Sequence, residues 1–243
     1  SVDCSCRSEE HGVEVVWPRG FSLQQALARP RPRRVRESWP PECGTNRWLE
    51  AGKIWYQRPG KDESERVWEM VRRVKANVAK DGTPLEATDV LAVVRRSKRE
   101  PAIVLVLNYR PPVDAWSVEL PAGMVDAGET ALEAGIRELR EETGFIAEKD
   151  RGVFALCYPD PWKSTESYLT CTVEIDGDLE CNRHPKPKHE DDEAFAAVLL
   201  VAVSALPRVL TLLAEAGCKL EARSVGIAQG IMLATEMVAP SGQ

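Results

Sequence analysis

Residues 137–145, RELREETGF, place three glutamates and two arginines around one leucine in their first six positions. On a helix, at about 100° per residue, Glu138 and Glu142 stack one turn apart and Glu141 sits about 60° to the side of Glu138. Three carboxylates then share one face, and like charges at this spacing destabilise an isolated helix. Arg137, one turn before Glu141, can pair with it and orient it while the rest of the cluster keeps its charge. Oxygen donors in this pattern suit a hard divalent cation such as Mg²⁺, whose octahedron phosphate oxygens complete. Arg/Glu-rich faces are also common on solvated helices, so the spacing alone leaves both readings open.

The elements that must position this cluster can be read from local chemistry. Thr130 with Glu133 three residues on is a capping-box signature, and Gly144 supplies a left-handed stop, which sets a helix at about 130 to 143. Leu132, Ile136 and Leu139 give it an apolar stripe for packing on a sheet, and Gly135 allows close backbone approach. Strand-like stretches precede it: RWLEAGKIWYQ and ERVWEMVRRVKA about a Pro-Gly turn, then DVLAVVRRS and AIVLVLNYR about a polar turn, then WSVEL closed by Pro121. VFALCY, ESYLTCTVEI and AFAAVLLVAV follow as further strands, and helices are expected at about 204 to 217 and 222 to 237. Strands interspersed with helices indicate an α/β (α+β) sandwich on a mixed sheet. Residues 1–45, with the run ARPRPRRVRESWPPECG, read as a flexible Pro/Arg-rich extension. Residues 46–80 form an N-terminal strand subdomain and 81–243 the main domain.

Composition narrows the function. A 243-residue chain with 43% hydrophobic residues can bury a substantial core. A net charge of −6 argues against nucleic acid as a partner. No apolar run approaches the roughly 18 residues a membrane span needs, and the first residues lack an apolar signal core. Seven scattered cysteines suit a reducing compartment, so the expected location is the cytoplasm, with the nucleus as alternative. The Cys4-x-Cys6 pair has no nearby Cys/His partners and does not read as a zinc site.

The context of the carboxylate helix decides between its two readings. Across GMVDAGETALEAGIRELREETGF the pattern is G-x5-E-x7-R-E-L-x-E-E-x-G-F, beginning at Gly123 and passing through Glu129. Its eight specified positions before Phe145 arise by accident with probability on the order of 10⁻⁹ per start. The stretch resembles the Nudix box of hydrolases that cleave nucleoside diphosphates linked to another moiety, with Phe145 where that pattern has an aliphatic residue. The resemblance implies a loop-helix-loop on an α/β/α sandwich. It also implies Mg²⁺, or Mn²⁺, held by Glu138, Glu141 and Glu142, with the backbone carbonyl of Ala122 as a further ligand. Arg137 and Glu141 join the catalytic set by the same resemblance.

Outside the box, NYRPPVDAWSVELPAGMVDAGET, ERVWEMVRR and RHPKPKHEDDEAF resemble the ADP-sugar pyrophosphatase branch from about Gly52 to Ala234. By that resemblance Trp68 and Glu69 grip adenine, and Arg73 and Arg110 reach the phosphates and ribose. Met124 is an apolar wall, Asp160 a substrate-loop acid and Glu193 the distant catalytic glutamate. The chemistry agrees: a tryptophan face stacks on a flat base, and an arginine fork fits a phosphate bidentately. Relatives sandwich the base with a second tryptophan directly after the Gly-Lys pair. This chain has Ile54 there and then Trp55, so either Trp55 serves through a shifted strand or the sandwich is one-sided. The implied reaction turns ADP-ribose or a related ADP-sugar into AMP and a sugar phosphate, and the implied assembly is a homodimer. A Nudix activity on another nucleotide sugar or an oxidised nucleotide, and a non-catalytic ADP-ribose sensor, stand as alternatives.

Overall fold

The computed structural model describes residues 12–29, 48–56, 65–74, 78–80, 82, 85–188 and 195–238. Its strands are β1 (Val13–Trp17), β2 (Leu49–Tyr56), β3 (Arg66–Arg73), β4 (Ala87–Arg96), β5 (Arg99–Arg110), β6 (Ala115–Glu119), β7 (Ala122–Met124), β8 (Lys149–Val153), β9 (Tyr168–Asp176), β10 (Phe195–Ala202) and β11 (Lys219–Leu220). The helices are α1 (Leu23–Leu27), α2 (Ala131–Thr143), α3 (Glu180–Arg183), α4 (Leu206–Glu215) and α5 (Ala222–Val238).

Alternating apolar residues make the sheet two-sided. Along β5, Ile103, Leu105, Leu107 and Tyr109 enter one core cluster while Val104 and Val106 enter the other, the period-2 pattern of a strand covered on both faces. Leu206, Val209 and Leu213 of α4 and Ala228 of α5 fill the first cluster. Leu139 of α2 and Phe145 just beyond it fill the second, and Phe145 is fully buried. The result is the expected α/β/α sandwich.

The sheet is mixed, ordered β1-β10-β5-β4-β9-β8, with β6 attached to β5, β11 to β6 and β7 to β4. β4 and β9 run parallel from Ala87↔Tyr168 to Arg95↔Asp176. β4 and β5 pair only between Val93↔Ile103 and Arg96↔Arg99. Farther along, β4 takes β7 as neighbour and β5 takes β6, so the sheet splits. The chain crosses that split between Glu119 and Ala122 and then enters the loop that leads to α2.

β2 and β3 form a separate two-stranded sheet, from Leu49↔Arg73 to Tyr56↔Arg66. It meets the main body through β3, where Val71 N donates to Lys163 O at 2.7 Å and Val71 O accepts from Thr165 N at 3.3 Å.

Three expectations change. The extension expected over 1–45 is not uniformly flexible: β1 adds an edge strand to β10, with Val13↔Val201 and Val15↔Leu199, and Ser22 and Gln25 close a capping box on α1. The alternation VEVVW earns that place by burying Val13, Val15 and Val16. VFALCY is not a strand beyond Val153, because Phe154 is exposed and a single bridge, Cys157↔Tyr168, is all that follows. Ile136 does not face the core: α2 buries Ala131, Ala134, Gly135, Leu139, Glu142 and Thr143 instead, and Ile136 turns outward.

Candidate active site

α2 is specified at both ends as read from sequence. Thr130 Oγ1 accepts from Glu133 N at 3.2 Å, and the Glu133 carboxylate accepts from Thr130 N at 2.8 Å. Gly144 takes φ +78°, and its N–H donates to Arg140 O at 2.9 Å. A Cβ at Gly144 would also lie 2.2 Å from Lys186 N, so glycine is required there for packing as well as for backbone conformation. On the sheet side, a Cβ at Gly135 would lie 3.1 Å from Val90 Cγ2.

The three carboxylates are not equivalent. Glu142 is 4% exposed, Glu138 15% and Glu141 46%, so the cluster runs from the buried face to the rim rather than standing opposite the apolar stripe. What makes a buried Glu142 tolerable is β7: Ala122 N donates to Glu142 Oε2 at 3.0 Å, and a buried carboxylate needs such a donor. The Glu138 side chain fills the space that Gly123 leaves open, since a Cβ at Gly123 would fall 1.9 Å from Glu138 Cδ.

Arg137 organises the whole. Its Nη1 donates to Glu138 Oε1 at 2.8 Å and to Glu141 Oε2 at 3.1 Å. Its Nε and Nη2 grip Glu129 at 3.0 and 3.1 Å, and Nη2 also reaches the Met124 carbonyl at 2.9 Å. The sequence reading gave Arg137 one partner, Glu141; the structure adds Glu138 and ties the helix to the loop before it through Glu129. Those hydrogen bonds hold the Glu129 carboxyl below its ordinary pKa.

The donor chemistry fits a hard divalent cation. Glu142 is oriented by a backbone N–H, and Glu138 and Glu141 already face one centre of positive charge, Arg137 Nη1. Among the described residues no three Asp, Glu, His or Cys side chains are grouped as metal ligands; Glu138 and Glu141 are held by Arg137 instead.

The remaining sequence-selected residues fall in two groups. Trp68, Glu69 and Arg73 lie on β3, and the 160–166 loop packs beside them: Trp68 Nε1 donates to Trp162 O at 2.5 Å. Asp160 starts that loop, its backbone carbonyl accepting from Lys163 N and Ser164 N and its carboxylate pairing with Lys163 at 3.0 Å. Glu69 lines a groove of about 480 Å³ with Lys53, Val71 and Trp162. Arg73 donates twice to Glu166, at 3.1 and 2.5 Å, and stands 3.9 Å from the buried Glu86. Arg110 lies on β5, bidentate with Glu119 at 2.8 and 2.6 Å. Met124 is on β7 with Ala122. Glu193 lies outside the described residues.

The hairpin register sets the faces on which the aromatics of β2 lie. Ile54 is directly opposite Trp68, and Trp55 opposite Val67, so Trp55 lies on the reverse face of the hairpin from Trp68. Tyr56, two residues from Ile54, shares the Trp68 face and meets its ring edge-on at 6.5 Å. Tyr56 and the acids Glu86, Glu119 and Glu166, which hold Arg73 and Arg110, were not expected from the sequence. Tyr56 had a signal in the strand alternation; Glu166, 93 residues from Arg73, had none.

Comparison with known proteins agrees with this geometry. Residues 85–216 match the NUDIX domain. A putative nudix hydrolase 2 of Caenorhabditis elegans is 37% identical over 172 residues, 70% of this chain and 74% of that protein. The ADP-ribose pyrophosphatase of Saccharomyces cerevisiae is 34% identical over 200 residues, 80% of this chain and 81% of that one. The ADP-sugar pyrophosphatase of Mus musculus is 33% identical over 178 residues, 73% and 78% of the two chains. The crystal structure of an ADP compounds hydrolase shares the fold, with a TM-score of 0.50 at 18% identity over 82% of this chain and 91% of that one.

Proposed function

The chain belongs to the Nudix family, and on that premise we propose that it hydrolyses the diphosphate of ADP-ribose or a related ADP-sugar, giving AMP and a sugar phosphate. The observation that carries the reading is the intact carboxylate cluster of α2, oriented by Arg137 and Ala122 and set at the split of the sheet. The relatives named for ADP-ribose and ADP-sugars support the substrate class.

Mg²⁺, with Mn²⁺ as alternative, is the cofactor proposed for Glu138, Glu141, Glu142 and the Ala122 carbonyl; when bound it neutralises diphosphate charge and activates a water. The chain's own groups do the rest. The Ala122 N–H fixes Glu142, Gly123 leaves room for Glu138, and Arg137 holds the loop through Glu129 so that the cluster keeps its place. Glu193 is assigned, from the resemblance, as the carboxylate that serves as base towards the attacking water or as a further metal ligand. Trp68 supplies a face for adenine, with Ile54 and Tyr56 rather than Trp55 beside it, and Glu69 reads the base edge. Arg73 and Arg110 exchange Glu166 and Glu119 for substrate phosphate and ribose oxygens, a swap of one anionic partner for another in the same fork geometry. Met124 and Asp160 complete the sugar side.

A homodimer is part of the proposal. Ile54, Tyr56 and Trp68 are exposed on one face of the hairpin and Trp55 and Val67 on the other, and apolar surface left open on both faces of a two-stranded sheet is commonly covered by a partner. Light scattering should return the mass of two chains, and a monomeric mass would overturn this part. The four described cysteines are free, which suits the cytoplasm, with the nucleus as alternative. No helix among the described residues is long and apolar enough to cross a membrane.

The test of the function is product analysis with Mg²⁺ against ADP-ribose, UDP-glucose, GDP-mannose and an oxidised guanosine diphosphate. AMP from ADP-ribose as preferred reaction supports the proposal. Preference for another substrate removes the adenine pocket and keeps the carboxylate cluster; tight binding without turnover makes the protein a sensor.

A further inference from the structure

α2 has a second surface, directed away from the sheet. Its outward residues, Arg19 and the segment 180–188 enclose a groove of about 970 Å³, at the upper end of the range of about 300–1,000 Å³ that small-molecule sites occupy.

Its walls are fixed. The fully buried Asn182 accepts from Ile146 N at 2.8 Å and donates to Ile146 O and Asp176 O at 3.0 and 2.9 Å. Lys188 N donates to Glu141 O at 2.7 Å, so the segment is tied to the helix at its carboxyl end.

The charges in the groove are unbalanced. Of the three acids lining it, Glu141 pairs with Arg137 at 3.1 Å and Glu180 with Arg183 at 3.3 Å, while Glu133 keeps its charge and is held by Thr130 N at 2.8 Å. Arg19, Arg140, Lys186 and Lys188 also line it, and none of the four has a carboxylate partner among the described residues. The dipole of α2 favours a cation at its carboxyl end. Four cations from three segments with no carboxylate partner among the described residues, in a chain of net charge −6, exceed what one helix end calls for.

We propose that this groove is a second anion site, taking a small ligand with two or more phosphate groups, separate from the hairpin surface that takes the base. Cations drawn from three segments match several anionic groups better than one. The outward Ile136 and Ile146 give the ligand's carbon skeleton something to rest on. Arg137 and Glu141 line the groove and belong to the carboxylate cluster, so occupancy is felt at the catalytic helix.

The test is calorimetric titration of the full chain, in EDTA, with inorganic tripolyphosphate and with inorganic phosphate. Tripolyphosphate should bind at least about tenfold tighter than phosphate, a difference of about 1.4 kcal/mol. Arg140→Glu with Lys186→Glu should weaken it by about tenfold or more at unchanged melting temperature. Lys188→Gln, which keeps the backbone bond to Glu141, should weaken it by about threefold. Trp68→Ala should leave it unchanged. Equal weak binding of both anions would overturn the proposal, as would indifference to the charge changes or loss of binding in Trp68→Ala. None of these outcomes depends on ADP-ribose being the substrate.

Discussion

Replacing Gly123 by alanine should separate catalysis from folding. An ideal Cβ at that position falls 1.9 Å from Glu138 Cδ and 2.0 Å from its Oε1, whereas ordinary contact begins at about 3.4 Å. The Glu138 carboxylate must therefore move by about 1.5 Å, and it loses the 2.8 Å bond from Arg137. The clash meets the free end of a flexible side chain, so the stability lost is close to one partly buried ion pair, about 1 kcal/mol. In a chain of this size that lowers the melting temperature by about 2–4 °C. The catalytic cost is larger, because a misplacement of about 1 Å at a reacting centre costs on the order of 10²-fold. Gly135→Ala is the control: its Cβ would meet Val90 and Thr88 at 3.1 and 3.4 Å and touches no carboxylate. Overpacking there costs about 1–3 kcal/mol, partly offset by about 1 kcal/mol of helix propensity, and kcat should not change. The assay is kcat for AMP release from ADP-ribose, with melting temperature measured on the same samples. Wild-type kcat in Gly123→Ala, or equal losses in both variants, would refute the placement of Glu138.

Trp68→Ala should raise KM for ADP-ribose by about tenfold with little change in kcat, since base stacking contributes roughly 1–3 kcal/mol; an unchanged KM would show that adenine is held elsewhere. Glu129 has a carboxyl held below the ordinary 4.5 by Arg137, so its contribution to stability is fully present above that value and is lost as pH falls through the lowered one. Glu129→Gln should thus lower the melting temperature at pH 7, with the difference from wild type closing towards pH 3; a constant difference would argue against the clamp. Arg223 pairs at 3.1 Å with the fully buried Asp89, and Arg223→Ala should cost about 3–5 kcal/mol by stranding that carboxylate. Burial already raises the Asp89 pKa, so the loss should be smaller at pH 4 than at pH 7 in chemical denaturation. A loss under about 1 kcal/mol at pH 7 would contradict this.

What the sequence revealed and what it hid follow from how local each signal is. Thr130, Glu133 and Gly144 act within a few residues of themselves, and α2 begins and ends where they say. The strands of the buried sheet were likewise legible, because residues such as Val104 and Leu105 carry their alternation in the chain itself. The burial of Glu142 was not legible, because it depends on an N–H from β7, a three-residue strand with no readable period. The same cause hid β1: a five-residue edge strand exists through its pairing with β10, some 180 residues away, and it precedes a Pro/Arg-rich run. Trp55 shows a further case, since alternation within β2 is legible but only the register of the hairpin sets Trp55 on the other face from Trp68.

The central claim is that Glu142 belongs to a metal-dependent site for diphosphate hydrolysis. The most direct measurement is AMP release from ADP-ribose by wild type and Glu142→Gln, with Mg²⁺ and with EDTA. Wild type with Mg²⁺ should release AMP and ribose 5-phosphate in equal amounts, and none in EDTA. In the variant the account predicts a loss on the order of 10²-fold or more at unchanged melting temperature, since metal-linked charge stabilisation contributes several kcal/mol. A folded Glu142→Gln with full activity, or AMP release by wild type that EDTA does not stop, would contradict it.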